Sequence, residues 1–153
     1  MKKLYYDKRG YIGSLFRNKE TDIKFVEDRI SKSKLGAIRG FHGDDKTWKY
    51  CCCLVGGFKL VIFDLNSKIT LDFFLSEEDD KCVLIPPNCL NAHQCLTSEC
   101  ILYYKWSEYY DLDSQWSVHY NDDTINPKWE NIPHIVSDRD KNAPDFKKWI
   151  NNN

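Results

Sequence analysis

The feature that most constrains the fold is a series of short apolar runs, rich in β-branched and aromatic residues, separated by turn-forming residues. Runs of this length and composition are typical of β-strands, and their regular spacing favours an antiparallel barrel or sandwich. We therefore predict an all-β chain. The predicted strands cover residues 37–41, 48–55, 58–65, 69–75, 82–85, 100–106 and 116–120.

Turn-forming residues indicate how three of these strands connect. Gly56-Gly57 separates the second run from the third, and Asn66-Ser67 separates the third from the fourth. Both pairs suit two-residue hairpins, so residues 48–75 are predicted to form a three-stranded meander. Residues 121–131 are polar and are predicted to form a loop. A short C-terminal helix is predicted at residues 146–149, after a start signal at residues 142–145.

Length and charge limit the possible functions. A chain of 153 residues fits a single domain, residues 1–153. The 22 basic residues nearly balance the 23 acidic ones, which argues against nucleic acid or an anionic membrane as the partner. No run approaches the roughly 20 apolar residues of a membrane span. Charges at residues 7–9 interrupt the opening segment before any signal-like apolar stretch, so we expect a cytoplasmic protein.

The seven cysteines include three consecutive ones, Cys51, Cys52 and Cys53, whose side chains would alternate between strand faces and cannot all pair. We interpret the cysteines as reduced thiols that pack as small apolar residues. Their spacing does not match a zinc site. A metal-binding cupin would need His-x-His followed by Glu, whereas His42 is followed by Gly43, so we predict neither a catalytic metal nor a cofactor.

Four polar residues could carry chemistry, and each also has a simpler structural interpretation. His42 ends a glycine-bracketed strand, where a histidine is commonly structural. Lys49 shares a strand face with two cysteines and is either a buried cation or a residue at the open end of the strand. Tyr104 belongs to an aromatic stripe of the kind usually found in cores. Asp140 lies in the charged stretch 137–144, which alone would indicate a solvated loop.

Short motifs follow one another in a fixed order through nearly the whole chain. They are Asp7-Lys8-Arg9-Gly10, Phe25-Val26-Glu27, Ser31-Lys32-Ser33, Arg39-Gly40-Phe41-His42, Lys49 seven residues before Gly56, Ile85-Pro86-Pro87, Tyr104-Lys105 followed by Tyr109-Tyr110, and the stretch 137–144. In this order they resemble the dTDP-4-keto-6-deoxyglucose 3,5-epimerase family, metal-free cupins that process nucleotide-linked 4-keto sugars. Each motif is weak alone, and their shared order makes the resemblance specific.

The resemblance implies a cupin, or jelly-roll, antiparallel β-barrel and a proton transfer next to a ketone. His42 would remove the proton, and Asp140 would orient the imidazole and stabilise its charged form. Lys49 would hold the C4 oxygen as it becomes an oxyanion. Tyr104 would return a proton on the opposite face of the sugar. The residues implied to bind the substrate are Arg9 and Arg39 at the diphosphate, together with Glu27, Arg29, Asn91, His93, Lys105 and Tyr110.

Some details of the motifs resemble a branch that acts on GDP-linked 4-keto-heptoses and hexoses. The stretch 43–49 and Asn91-Ala92-His93 are two of them. Glu27 stands where the family has a base-contacting glutamine, and a carboxylate can accept hydrogen bonds from guanine N1–H and N2–H2. We therefore expect a nucleoside-diphosphate 4-keto sugar, with GDP favoured, whose product enters capsule or lipopolysaccharide synthesis.

Two alternatives remain open at this stage. One is a 3,4-ketoisomerase of the same fold, which would return the proton to a different atom of the sugar. The other is a non-catalytic sugar-nucleotide-binding cupin. Because family members pair through exchanged N-terminal strands, the resemblance also implies a homodimer.

Overall fold

The computed structural model describes residues 3–17, 19 and 21–152, so the ends of the predicted domain and residues 18 and 20 lie outside the described residues. The strands are β1 (Lys3–Asp7), β2 (Gly10–Ser14), β3 (Glu27–Lys34), β4 (Ala37–Gly43), β5 (Lys49–Val55), β6 (Gly57–Asp64), β7 (Thr70–Ser76), β8 (Val83–Ile85), β9 (Cys89–Cys95), β10 (Glu99–Trp106), β11 (Trp116–Ser117) and β12 (Ile135–Val136). Two short helices follow, α1 (Asp138–Asn142) and α2 (Phe146–Ile150). The all-β prediction with a short C-terminal helix is confirmed.

Two mainly antiparallel sheets form the body of the structure. One has the strand order β3-β10-β5-β8, and the other has the order β11-β4-β9-β6-β7, with β12 pairing in parallel to β4. An apolar cluster draws on β5, β8 and β10 of the first sheet and on β6, β7 and β9 of the second. Its fully buried members include Cys53, Leu60 and Leu102. Side chains from two facing sheets thus share one core, as expected of a sandwich or barrel.

The predicted three-stranded meander is wrong in one connection. β6 and β7 pair antiparallel as predicted, but β5 pairs with β10 and β8 rather than with β6. Gly56 therefore carries the chain from one sheet to the other. Its φ of +67° lies in the left-handed region, and a Cβ there would collide with the backbone oxygen of Glu99. The connection from β6 to β7 is also longer than the predicted two-residue turn, because residues 65–69 lie between the strands.

The outer face of the larger sheet is covered by the C-terminal part of the chain. Phe41, Val61 and Phe63 pack there against side chains that follow β11, including Ile125 and those of α2. Residues 121–131 contain no strand or helix, which agrees with the predicted loop. Within the described part of the chain, neither helix is long and apolar enough to cross a membrane.

Strand β4 positions the residues of greatest chemical interest. It pairs with β9 on one side and with β11 and β12 on the other, and its register with β9 is interrupted between Arg39 and His42. Gly40 lies within this irregularity with φ of +125°. A Cβ on Gly40 would lie 2.5 Å from the Cβ of Ala92 and 2.6 Å from the backbone oxygen of Asn91. Only glycine lets β4 approach β9 this closely.

Gly40→Ala is expected to destabilise the fold more than Gly10→Ala. Gly10 has the same φ of +125°, but a Cβ added to it would meet no atom within 4 Å apart from those of its two chain neighbours. Backbone strain is thereby matched, and only the steric clash differs. We expect the difference to be about 2 kcal/mol in the free energy of unfolding. This corresponds to a melting temperature roughly 4–8 °C lower for Gly40→Ala, measured by calorimetry. Equal melting temperatures would contradict the argument for close approach.

Candidate active site

A cavity of about 450 Å³ opens at one end of the space between the two sheets, within the size range of small-molecule sites. It gathers many of the residues that the sequence singled out, from strands of both sheets and from α1. The predicted site residues that line it are His42, Lys49, Tyr104, Asp140, Arg29, Arg39, Asn91 and Tyr110.

His42 and Asp140 form a short polar contact at the cavity wall. The His42 Nε2 atom lies 2.7 Å from Asp140 Oδ1, although 98 positions separate the two residues in the chain. Because the carboxylate is the acceptor, the imidazole carries its hydrogen on Nε2. Nδ1 is then the nitrogen left to take a proton from a ligand. The side chain of His42 is 29% exposed and that of Asp140 only 5%, so the histidine remains accessible while its partner does not.

Asp140 is held in place by its own helix. Ser137 caps α1 by accepting a hydrogen bond from the Asp140 N–H at 3.2 Å, and the Gly40 N–H donates to Asp140 Oδ2 at 3.3 Å. Burial acts to raise the pKa of Asp140, but the hydrogen bonds from His42, Gly40 and Ser137 outweigh it and leave the pKa below its ordinary value. The solvated loop indicated by the charges of residues 137–144 is therefore wrong at Asp140, which is buried in a short helix.

Lys49 is a buried cation, with only 4% of its side chain exposed. Its Nζ lies 3.7 Å from Asp44 Oδ2, 3.4 Å from Asn91 Oδ1 and 4.7 Å from the centre of the Trp106 ring. Burial lowers the pKa of Lys49, and the carboxylate of Asp44 opposes that shift. A desolvated ammonium group at the wall of a cavity is suited to binding a negatively charged or strongly polarised oxygen.

Asp44 is arranged to hold Lys49 in its charged form. It accepts hydrogen bonds from the backbone N–H groups of Lys46 and Thr47 at 3.0 and 2.6 Å, and from Gln115 Nε2 at 2.9 Å. Burial acts to raise the pKa of Asp44, yet these donors and Lys49 bring it below its ordinary value. The carboxylate therefore stays ionised next to the ammonium group.

Tyr104 reaches the cavity from the sheet that faces the one carrying His42. The alternation along β10 places Tyr104 and Trp106 on the inner face, and Tyr103 and Lys105 on the outer face, where both contact Asp28. Burial raises the pKa of Tyr104, so the phenol keeps its proton at physiological pH. His42 on one sheet and Tyr104 on the other thus line the same cavity.

The cavity wall carries several positive charges. Arg29 stacks on the rings of Tyr110 and Trp106, with its guanidinium carbon 4.0 and 5.0 Å from the ring centres. Arg39 donates to Ser33 Oγ at 3.0 Å and to a backbone oxygen. Because Asp140 is the only acidic residue that lines the cavity within the described part of the chain, the wall is net positive and suits an anionic ligand.

Four predicted substrate-binding residues do not line this cavity. Arg9 lies on the β1–β2 hairpin, with 83% of its side chain exposed and an ion pair to Asp7. Glu27 accepts a hydrogen bond from the Tyr110 N–H at 2.6 Å and pairs with Arg29. The other two are Lys105, which is paired with Asp28 on the outer face of β10, and His93, which is 1% exposed and lies behind Tyr104.

Sequence reasoning missed the roles of Asp44, Gln115 and Arg139. Asp44 follows a predicted strand and looks like an ordinary turn residue, and only the burial of Lys49 shows why a carboxylate is needed there. Arg139 lines the cavity and donates to Ser117 Oγ at 2.8 Å. Across residues 3–17, 19 and 21–152, no group of three His, Cys, Asp or Glu side chains is placed to share a metal ion.

The chain is similar to a family of known enzymes. The profile of the family described as dTDP-4-dehydrorhamnose 3,5-epimerase matches residues 1–148. A protein of that name from Shigella flexneri is 26% identical over 158 aligned positions, which cover 94% of this chain and 87% of that protein.

Solved structures give the same result. A dTDP-6-deoxy-D-glucose-3,5-epimerase from Legionella pneumophila, in complex with dTDP-4-keto-L-rhamnose, superposes with a TM-score of 0.89 at 25% identity. The match covers 95% of this chain and 85% of that one. A 3'-monoepimerase from Streptomyces bikiniensis, in complex with dTDP-quinovose, superposes with a TM-score of 0.88 at 25% identity and covers 94% and 80% of the two chains. These neighbours confirm the predicted cupin architecture.

The profile match covers nearly the whole chain, and the fold agrees with it over the same length. The predicted isomerase class is confirmed by the names of these relatives. The chain belongs to the dTDP-4-dehydrorhamnose 3,5-epimerase family and is an enzyme of the epimerase type.

Proposed function

We propose that this enzyme inverts C3, C5 or both in a nucleoside-diphosphate 4-keto-6-deoxy sugar, by removing a proton next to the ketone and returning one on the other face. One observation carries the proposal: an imidazole hydrogen-bonded to a buried carboxylate, and a protonated phenol from the facing sheet, line one cavity together with a buried ammonium group. Inversion needs a base and an acid on opposite sides of the carbon, and these two side chains come from opposite sheets.

The first step is removal of the proton by His42. With Nε2 donating to Asp140, Nδ1 takes the proton, and the carboxylate stabilises the imidazolium that forms. The C–H electron pair moves into the enolate, whose negative charge develops on the C4 oxygen. Lys49 then stabilises that oxyanion, because its ammonium group is desolvated and held by Asp44 before the reaction begins.

The second step is return of a proton by Tyr104. Its hydroxyl donates to the carbon from the face opposite His42, which leaves a tyrosinate and an inverted centre. Solvent later restores both groups to their starting protonation states. If the proton came back from His42 instead, the configuration would be retained and only isotope exchange would be seen.

His42→Asn is expected to abolish uptake of solvent deuterium into a 4-keto-6-deoxy sugar nucleotide, whereas Tyr104→Phe should retain uptake and lose inversion. Loss of a general acid or base typically costs about 10²- to 10⁴-fold in rate. Mass spectrometry measures the uptake, and proton NMR of the product measures the configuration.

Tyr103→Phe is the matched control, because Tyr103 neighbours Tyr104 but donates to Asp28 on the outer face of β10. It should leave both rates unchanged. Deuterium uptake by His42→Asn at the wild-type rate would remove His42 from this role. A product whose carbonyl has moved from C4 to C3 would instead identify a ketoisomerase, and nucleotide-sugar binding without uptake in the wild type would identify a binding protein.

The decrease of kcat/KM at high pH should report the loss of the proton from Lys49. Burial lowers the pKa of Lys49 and raises that of Tyr104, so on raising the pH Lys49 is the first of the two to lose the proton that the mechanism needs. Asp44→Asn removes a charge that holds the pKa of Lys49 up. The alkaline limb of kcat/KM should therefore move to lower pH, by about one pH unit. Rates measured from pH 6 to pH 10 provide the test.

Asp45→Asn is the control for this shift, because it removes the same charge from the exposed neighbouring position. The nucleotide of the substrate titrates identically in both assays. A difference between the alkaline limbs of the two variants therefore arises from a group of the protein. If both variants shifted the alkaline limb of kcat/KM equally, the shift would be a general effect of charge. If Asp44→Asn left the alkaline limb where it is in the wild type, the pKa of Lys49 would not be what sets that limb. Since breaking a buried ion pair can cost about 3–5 kcal/mol, thermal melts must first establish that Asp44→Asn is folded.

For the nucleotide we propose GDP, although the relatives described above are named for dTDP-linked substrates. The support is the carboxylate of Glu27, which contacts Tyr110 and Arg29, two residues that line the cavity. Both carboxylate oxygens only accept, which suits the N1–H and N2–H2 donors of guanine. Thymine offers one donor between two carbonyl oxygens. The proposed role of the product in capsule or lipopolysaccharide synthesis rests on this choice of nucleotide.

The wild-type enzyme is expected to process a GDP-linked 4-keto sugar with a higher kcat/KM than its dTDP-linked counterpart. Glu27→Gln should lower the ratio of these two kcat/KM values by about tenfold. The amide can donate to a thymine carbonyl, whereas the carboxylate cannot. Asp28→Asn is the control, since Asp28 faces away from the cavity on the same strand. A wild-type preference for the dTDP sugar would overturn the choice of GDP and leave the epimerase proposal intact.

We also propose a homodimer and a cytoplasmic location. The β1–β2 hairpin forms its own two-stranded sheet and exposes Tyr5, Tyr6, Tyr11 and Ile12, an apolar surface that a second copy would cover. Arg9 on this hairpin would then reach the diphosphate in the partner's cavity. For the location, the support is that Cys51, Cys89, Cys95 and Cys100 are buried thiols, as expected in a reducing compartment.

A further inference from the structure

His93 has a place in the fold that the proposed mechanism does not use. On β9 it lies two positions after Asn91 and therefore on the same face of the strand. Asn91 contacts Lys49 at the cavity wall, whereas His93 lies deeper in the core and is 1% exposed. The ring of Phe58 packs against it edge-on, with 5.6 Å between the ring centres. His93 Nε2 has no hydrogen-bond partner among the residues that the structure describes. Burying an imidazole without hydrogen bonds costs free energy, so its other nitrogen, Nδ1, is expected to have a partner.

The other nitrogen faces the proposed acid. His93 Nδ1 lies 3.5 Å from the hydroxyl oxygen of Tyr104, a long contact of the kind that shortens when a substrate closes a site. Burial, reinforced by Arg39 and His42, lowers the pKa of His93 to about 3, so the ring is neutral and carries one hydrogen. The titratable groups that face this pair are Arg39 and His42 from β4, Cys51 from β5 and Cys100 from β10.

The position of that hydrogen decides where the hydroxyl of Tyr104 points. With the hydrogen on Nε2, an N–H donor would be buried without an acceptor, and Nδ1 would draw the Tyr104 hydrogen away from the cavity. With the hydrogen on Nδ1, only a lone pair is left unpaired, and buried unpaired acceptors are more common than buried unpaired N–H donors. The second arrangement also leaves the phenol hydrogen directed towards a ligand.

We propose that His93 is a positioning residue, whose Nδ1–H donates to the Tyr104 oxygen, aims the phenol hydrogen into the cavity and stabilises the tyrosinate left after proton transfer. This inference rests on the proposed function, since it concerns the acid of that reaction. His93 itself neither gains nor loses a proton: the hydrogen passes from Tyr104 to the sugar carbon, and the negative charge stays on the tyrosine oxygen beside an N–H donor.

The first test needs no substrate. In protein carrying ¹⁵N-labelled histidine, long-range proton–nitrogen correlation spectra distinguish a protonated from an unprotonated ring nitrogen, and His93→Asn identifies the His93 signals. We expect protonated Nδ1 and unprotonated Nε2 at neutral pH. Protonated Nε2, or a ring protonated on both nitrogens, would overturn the proposal whether or not the enzyme is an epimerase.

The second test is the ratio of inversion to deuterium uptake. His93→Leu should lower inversion by about 10- to 100-fold, the loss expected for a hydrogen bond to a developing charge, while uptake catalysed by His42 continues. His93→Asn can place an amide donor near the position of Nδ1 and should recover most of the inversion. A purely structural role for His93 would lower both rates together and leave the ratio unchanged.

Phe58→Leu is the control, because it removes packing from the same part of the core without removing a hydrogen bond. It should lower the melting temperature and leave the ratio at the wild-type value. If Phe58→Leu lowers the ratio as much as His93→Leu, the effect is one of packing and the proposal fails. If the wild-type enzyme neither exchanges nor inverts the substrate, the proposed function fails, and the tautomer measurement still decides the state of His93.

Discussion

The buried carboxylate of Asp140 is the interaction on which the arrangement of the cavity depends. A carboxylate with so little exposure must be supplied with hydrogen-bond donors, and here they come from the imidazole of His42 and from the backbone N–H of Gly40. Both donors lie on β4, 98 and 100 positions from Asp140 in the chain. Satisfying one side chain therefore fixes the C-terminal segment on β4 and fixes the imidazole in a single tautomer.

The same requirement explains why polar residues collect at one end of an otherwise apolar interior. Lys49 and Asp44 stabilise each other, and Asp44 in turn depends on backbone donors and on Gln115. Further along the same strand, Cys51 and Cys53 are fully buried in the apolar core. A buried ion pair is weak evidence for stability, because desolvation can cost as much as the attraction returns. The Lys49–Asp44 ion pair is instead explained by the proposed function, in which Lys49 must stabilise negative charge on the substrate.

The strands that sequence reasoning predicted are those in which apolar residues dominate. β9 was missed because all seven of its residues are buried, on both faces, and three of them are the polar Asn91, His93 and Gln94. β3 was missed for the opposite reason, since Ile30 is the one apolar residue among its eight and the strand lies at the edge of its sheet. The meander was wrong at Gly56 because a tight turn between two strands does not say whether they belong to one sheet. The burial of Asp140 depends on a contact 98 positions away, which no local pattern contains.

The architecture also suggests what decides which carbon is inverted. The pairing of β4 with β9 and β11 fixes the backbone at His42, and the pairing of β10 with β3 and β5 fixes the backbone at Tyr104, so the two side chains start from fixed positions on facing sheets. In the proposed mechanism the ketone is held by Lys49, which lies on β5, one of these same strands. The two neighbouring carbons must then be presented in turn by the sugar itself, through rotation about its bond to the diphosphate. Inversion at one carbon or at two would accordingly be set by how tightly the arginines at the cavity wall restrict that rotation, rather than by the acid and base.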